Sequence, residues 1–112
     1  MSAPAPRRGE VWWVALDATV GSEIAKTRPC AVLSRDTVNQ HRRTVVVVPL
    51  STSPSAYPPI RVSVECNGQS AVAVVDQIRA VAKERLTSRL GILSEPDMDA
   101  LSEALRVILE LA

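Results

Sequence analysis

A chain of 112 residues has room for one domain, which buries roughly 65% of its unfolded surface and folds without a staple. Its two cysteines, Cys30 and Cys66, are too few for a disulfide framework, and the single His41 leaves no four-ligand zinc set. The net charge of +1 is unevenly divided: residues 94–112 set Glu95, Asp97, Asp99, Glu103 and Glu110 against Arg106, net −4, which leaves +5 on residues 1–93 and so a basic body that permits a nucleic-acid partner.

Residues 1–8 hold no apolar stretch of signal-peptide length and read as a flexible N-terminal tail ahead of one domain, residues 9–112. No apolar run is long enough to span a bilayer, so the expectation is a cytoplasmic protein with no membrane partner. Val11–Leu16 is a β-type run in which the neighbours Trp12 and Trp13 face opposite sides of a sheet. One ring therefore joins the core. For the other, packing or a subunit contact is favoured over base stacking, because large rings dominate cores. The polar segment Gly21–Pro29 separates this strand from the apolar Cys30–Ser34. It is longer than the usual connection of about 4–6 residues, which marks a working loop, and it carries Glu23, Lys26 and Arg28.

Asp36–His41 begins with a capping residue type and predicts one short helical turn before the β-branched strand Thr44–Leu50. Beyond Ser51-Thr52-Ser53, the segment Pro54–Pro59 is a linker or flap, since its prolines lack the donors a central strand needs. Ile60–Val64 alternates apolar and polar residues, and Asn67-Gly68 signals a turn, so Ile60–Val64 and Ala71–Val75 form a hairpin with a slightly longer loop. Leu90–Leu93 adds a last short strand. Ser94-Glu95-Pro96-Asp97 then starts a helix with a cap, an early proline and carboxylates near the positive end of the dipole. Met98, Leu101, Leu105, Ile108, Leu109 and Ala112 fall on one of its faces, as core or dimer contact. The class is mainly β with helices: a small antiparallel barrel with a C-terminal α-helix packed outside.

The chain has no Gly-rich phosphate loop, no His-Glu-x-x-His, no nucleophile elbow and no carboxylate cluster of the kind that holds magnesium, so the expectation is no metal and no cofactor. A Cys30–His41 nucleophilic pair lacks an orienting third group. RNA permits chemistry without either, because its own 2′-OH attacks the adjacent phosphate once the groups are oriented and the charge is stabilised. Polar groups cluster at three strand ends: the Glu23–Arg28 region, Ser51-Thr52-Ser53, and Asp76-Gln77-Ile78-Arg79.

Those strand ends lie within a longer ordered pattern. Arg8-Gly9-Glu10-Val11-Trp12-Trp13-Val14, then Gly21-Ser22-Glu23, then Lys26-Thr27-Arg28-Pro29, then Val46-Val47-Val48-Pro49-Leu50-Ser51-Thr52-Ser53, then Val75-Asp76-Gln77-Ile78-Arg79 resemble the MazF/PemK (Kid-type) toxins of bacterial toxin–antitoxin systems. The resemblance runs from Arg8 nearly to Ala112. It implies an SH3-like barrel of the Kid/CcdB type that works as a homodimer. The implied activity is metal-independent, sequence-specific endoribonuclease cleavage of single-stranded RNA (mRNA). The implied partner is a MazE-like antitoxin whose disordered, acidic and apolar tail covers the basic groove. By the same resemblance Arg28 matches the catalytic Arg of the Arg-Pro motif, and Ser51 matches a hydroxyl that is usually Thr.

Arg28 is expected to neutralise the non-bridging phosphate oxygens rather than move a proton, because Arg is effectively always protonated, and Ser51 to fix the phosphate. Glu23 and Asp76 are the candidate proton acceptors, with a structural role for Asp76 in accepting loop amides as the alternative. Lys26, Thr27, Asn39, Thr52, Gln77 and Arg79 are the expected RNA contacts. Ser22 and Val74 stand where Kid-type relatives can carry His and Arg, which argues against a mechanism with a dedicated His base or second Arg acid. A non-enzymatic CcdB-type toxin that binds DNA gyrase is the alternative function; those relatives use a Trp near the C-terminus, whereas this chain ends Leu109-Glu110-Leu111-Ala112. A plain SH3-like binding module would not require an Arg and a hydroxyl at adjoining strand ends.

Overall fold

Alternating apolar residues in the first, second and third strands divide their side chains between two cores, one on each face of the same sheet. A computed structural model describes residues 4–16, 21, 26–52 and 55–111. In chain order it runs β1 (Glu10–Leu16), β2 (Lys26–Val32), α1 (Asp36–His41), β3 (Thr44–Ser51), β4 (Arg61–Cys66), β5 (Gln69–Val74), a 3-10 turn (Val75–Gln77), β6 (Arg79–Ala82), a second 3-10 turn (Lys83–Arg85), β7 (Leu86–Ile92) and α2 (Glu95–Ile108). Among the described residues seven strands form one antiparallel, barrel-like sheet in the order β4-β5-β3-β2-β1-β7, with β6 paired to β3, and the ladder ends at β4 and β7 without closing.

One face carries Val11, Ala31, Val48, Leu50, Val62, Val64 and Ala73 against Met98, Leu101 and Ala104 of α2. The other gathers Val14, Leu16, Cys30, Val32, Val45, Val47 and Val81, with Trp12 and Leu86 packed on them. The two tryptophans divide as their adjacency requires. Trp12 lies on the second core and donates its indole N–H to Glu10 Oε1 at 3.0 Å, while Trp13 is 37% exposed. Ser94 caps α2 by accepting from the Asp97 N–H at 3.3 Å. Of the expected apolar stripe, Met98 and Leu101 are buried and Leu105 and Ile108 are partly buried. Leu109 is exposed just past the helix end, and Ala112 lies outside the described residues.

Several boundaries differ from the sequence reading. Strand β2 starts at Lys26 rather than Cys30, so Lys26–Pro29 is strand and the connection is residues 17–25. Pairing with β1, Trp13 opposite Pro29 and Val14 opposite Arg28, overrides the low strand propensity of this polar stretch. The hairpin loop is tighter than expected: Cys66 pairs with Gln69, and Asn67 and Gly68 adopt φ of 54° and 77°, as a two-residue type I′ turn requires. Strand β6 has no anticipated counterpart, and β7 runs from Leu86 to Ile92 rather than Leu90–Leu93, because β7 is exposed along most of its length and shows no alternation.

Asp36 is the first helical residue rather than the cap, and its carboxylate serves the N-terminus instead. It accepts the Arg8 N–H at 2.7 Å, while the Arg8 guanidinium donates to the Leu33 carbonyl and to Ser102 Oγ, the latter at 2.9 Å. With Pro6 buried as well, the expected tail is fastened to the domain from about residue 6 onward.

Candidate active site

The ends of β2 and β3 bring Arg28 and Ser51 to the wall of one pocket of about 190 Å³. Thr27 and Thr52 line it beside them, so the polar ends of two adjoining strands share one cavity. Its apolar side comes from Trp13 on β1, Pro29 on β2, Leu50 on β3 and Leu90 on β7. The tip of the β4–β5 hairpin closes it with Cys66, Gln69, Ser70 and Ala71. Arg28 and Thr52 are exposed and Ser51 is half-buried, so a ligand reaches them without displacing the core.

Lys26, Asp76, Gln77 and Arg79 do not line this pocket. Lys26 is exposed at the start of β2, opposite Leu16, with φ of 69°. Asp76 is exposed and Gln77 half-buried on the 3-10 turn after β5, which is anchored where the Val75 N–H donates to the Ile60 carbonyl at 2.8 Å. Arg79 sits on β6 opposite Val47, half-buried, near enough to Cys30 for its charge to act on that thiol. Glu23 and Ser22 lie outside the described residues.

Asn39, expected as an RNA contact, is fully buried. Its amide N–H donates to the Ser34 carbonyl at 3.0 Å, its carbonyl accepts the Ser34 hydroxyl, and Ser34 Oγ in turn accepts the Val46 N–H at 3.0 Å. The side chain fastens α1 to the β2–α1 connection and leaves no edge for a base; a polar residue type on a short helix gave no hint of this. The Cys30–His41 pairing is excluded by the thiol. Burial pushes Cys30 up to about 12, against a smaller lowering by Arg79, so it stays protonated. His41 is exposed on α1, with Nδ1 2.7 Å from the Thr37 carbonyl.

Gln69, Ser70 and Cys66 are pocket residues that the sequence reading does not single out, because they reach the site only when the hairpin folds over β7. The Asn67 amide donates to the Leu90 carbonyl at 2.7 Å and pins it there. Asn-Gly is the one sequence signal that bears on this arrangement. Among the described residues no three His, Cys, Asp or Glu side chains gather as metal ligands, and no helix is long and apolar enough to cross a membrane.

Residues 7–109 match the family described as the PemK-like, MazF-like toxin of type II toxin–antitoxin systems. The endoribonuclease MazF9 of Mycobacterium tuberculosis is 34% identical over 119 aligned residues, covering 94% of this chain and 97% of its own. Among solved structures, a mycobacterial endoribonuclease in complex with its cognate antitoxin is 27% identical with a TM-score of 0.79, covering 96% of this chain and 98% of its own. MazF from Deinococcus radiodurans, at 22% identity, shares the fold with a TM-score of 0.85 over 96% of this chain and 98% of its own.

Proposed function

Because this chain belongs to the PemK-like, MazF-like toxins of type II toxin–antitoxin systems, we propose that it is a toxin endoribonuclease that cuts single-stranded RNA, mRNA included, in the cytoplasm. The observation that carries this reading is the shared pocket of Arg28 and Ser51, an always-charged fork and a small hydroxyl on adjoining strands.

The reaction is an internal transesterification. The 2′-oxygen of the RNA forms a bond to the adjacent phosphorus, the bond from phosphorus to the 5′-oxygen breaks, and the products end in a 2′,3′-cyclic phosphate and a 5′-hydroxyl. One proton leaves the 2′-OH and one is delivered to the departing 5′-oxygen. Arg28 neutralises the non-bridging oxygens as charge builds on the phosphorane, which is where fixed donors contribute most. Ser51 hydrogen-bonds the phosphate and holds its register. Glu23 is the residue proposed to handle the protons, since Asp76 sits on the turn after β5, outside the pocket of Arg28 and Ser51. The chain is proposed to work as a homodimer, and a MazE-like antitoxin is proposed to inhibit it by laying an acidic, apolar segment across the basic body of the domain.

Cleaving a long single-stranded RNA and mapping both ends tests the reading. The expected result is a small set of related cut sites, cyclic phosphate and 5′-hydroxyl termini, undiminished cleavage in chelator, and no cleavage where the cut nucleotide is 2′-deoxy. Cleavage of the 2′-deoxy substrate, or its loss in chelator, refutes the mechanism. Inhibition of gyrase without RNA cleavage supports the CcdB-type alternative instead.

A further inference from the structure

The pocket beside Arg28 has a lining of two chemical kinds. Trp13, Pro29, Leu50 and Leu90 are apolar, and Thr52, Gln69 and Ser70 supply hydroxyl and amide groups. A phosphate has no use for the first kind, and an aliphatic side chain has none for the second. A flat heteroaromatic ring with hydrogen-bonding edges suits both. At about 190 Å³ the pocket is smaller than the roughly 300–1,000 Å³ that holds drug-sized ligands, so it takes one ring system.

We propose that this pocket seats a nucleobase of the RNA next to the scissile phosphate, with Trp13 as the stacking platform and Gln69 and Ser70 as readers of the base edge. The proposal rests on the endoribonuclease reading above and makes Trp13 a specificity-determining residue. Trp12 gives the contrast within the same strand: its ring packs on the core and its N–H is spent on Glu10, whereas Trp13 keeps 37% of its surface exposed beside the pocket. The register makes the link to the phosphate. Trp13 pairs with Pro29, the residue after Arg28, and consecutive Cα atoms are only about 3.8 Å apart, so a phosphate at Arg28 and a base at Trp13 belong to the same or the adjoining nucleotide. An amide such as Gln69 offers both a donor and an acceptor to that edge.

The experiment pairs a protein change with an RNA change. Short single-stranded RNAs, made uncleavable by 2′-deoxy substitution, are titrated into the wild type and into Trp13→Phe, which leaves Trp12 as the only tryptophan; the expected result is emission quenching in the wild type that is absent from the variant. Walking an abasic site along the RNA should abolish the quenching at one position. On cleavable RNA, Trp13→Ala should lower kcat/KM by roughly 10- to 100-fold, as loss of one base stack does, Trp13→Phe should recover most of it, and neither should lose more when that base is already missing. Equal quenching without Trp13, or losses that add between Trp13→Ala and the abasic substrate, overturns the proposal. So does a Trp13→Ala chain that runs as a monomer where the wild type is a dimer, which assigns the ring to a subunit contact. Quenching by a 2′-deoxy RNA whose all-ribose form the wild type also fails to cut supports the pocket and refutes the nuclease.

Discussion

Asn67 and Gly91 are fitted to each other. A Cβ added at Gly91 would lie 2.6 Å from Asn67 Oδ1 and 2.9 Å from Cys66 Sγ, and the same Asn67 side chain donates to the Leu90 carbonyl at 2.7 Å. Glycine at 91 lets the β4–β5 turn come down on β7, and that closure builds one wall of the Arg28 pocket. Gly91→Ala should therefore displace the Asn67 amide and cost about 1–3 kcal/mol, the combined scale of overpacking and a lost hydrogen bond. Urea denaturation gives the stability, and RNA cleavage by the same variant should fall as well, because Gln69 and Ser70 move with the turn. A variant as stable as the wild type would mean that the turn is not held by this contact.

Asn39 makes the opposite kind of prediction. Buried and bonded through both amide atoms to Ser34, it supports α1. Asn39→Ala should cost about 1–3 kcal/mol through the Ser34 groups it leaves unpaired, while the RNA cut-site pattern of the protein that remains folded stays unchanged. An altered cut-site pattern with unchanged stability would return Asn39 to the RNA interface.

These two residues also show where sequence reasoning stops. Strands such as β4 are legible because their burial alternates with period two, and α2 is legible from its Ser94 cap and apolar stripe. Strand β6 and the first part of β7 are not: four residues are too few for β6 to show a pattern, and Thr87, Ser88 and Arg89 expose both faces of an edge, so only the Leu90–Ile92 end of β7 is marked. Arg28 and Ser51 stand out as polar residues at the ends of apolar runs, and pairing through β2 and β3 puts them in one pocket. Gln69 and Ser70 join them only through a contact between residues 23 apart, Asn67 and Leu90, and local periodicity carries no record of such a contact.

Cys30 makes stability fall with pH on the alkaline side. Its thiol is pushed from 9.0 up to about 12 by burial, so between those values the folded chain holds a proton that the unfolded chain releases. The unfolded state then binds fewer protons and unfolding becomes easier as pH rises. The contribution of Cys30 is intact below about pH 9 and is lost progressively toward about pH 12, a change on the order of a few kcal/mol at its limit. Urea midpoints measured across this range should decline more steeply for the wild type than for Cys30→Ala. Parallel declines would show that other groups carry the alkaline transition. The same protonation should leave Cys30 unreactive toward alkylating reagents in the folded protein near neutral pH.

The proposed mechanism has Arg28 and Ser51 act on one phosphate, and each has a distinct signature. Arg28→Ala should lower cleavage by roughly 10²–10³-fold, the scale for losing one fixed donor to a developing oxyanion, with little effect on folding because the side chain is exposed on an edge of the pocket. Arg28→Lys should recover little, since a point charge cannot match two phosphate oxygens as the fork does. Ser51→Thr should keep most activity because the hydroxyl is retained, while Ser51→Ala should lose much of it. If the two act on the same phosphate, their losses should not add: Ser51→Ala in an Arg28→Ala background should cost far less than it does alone. Single-turnover rates of the two single variants and the double variant on one RNA decide the matter, and fully additive losses would place the two side chains on different steps or different nucleotides.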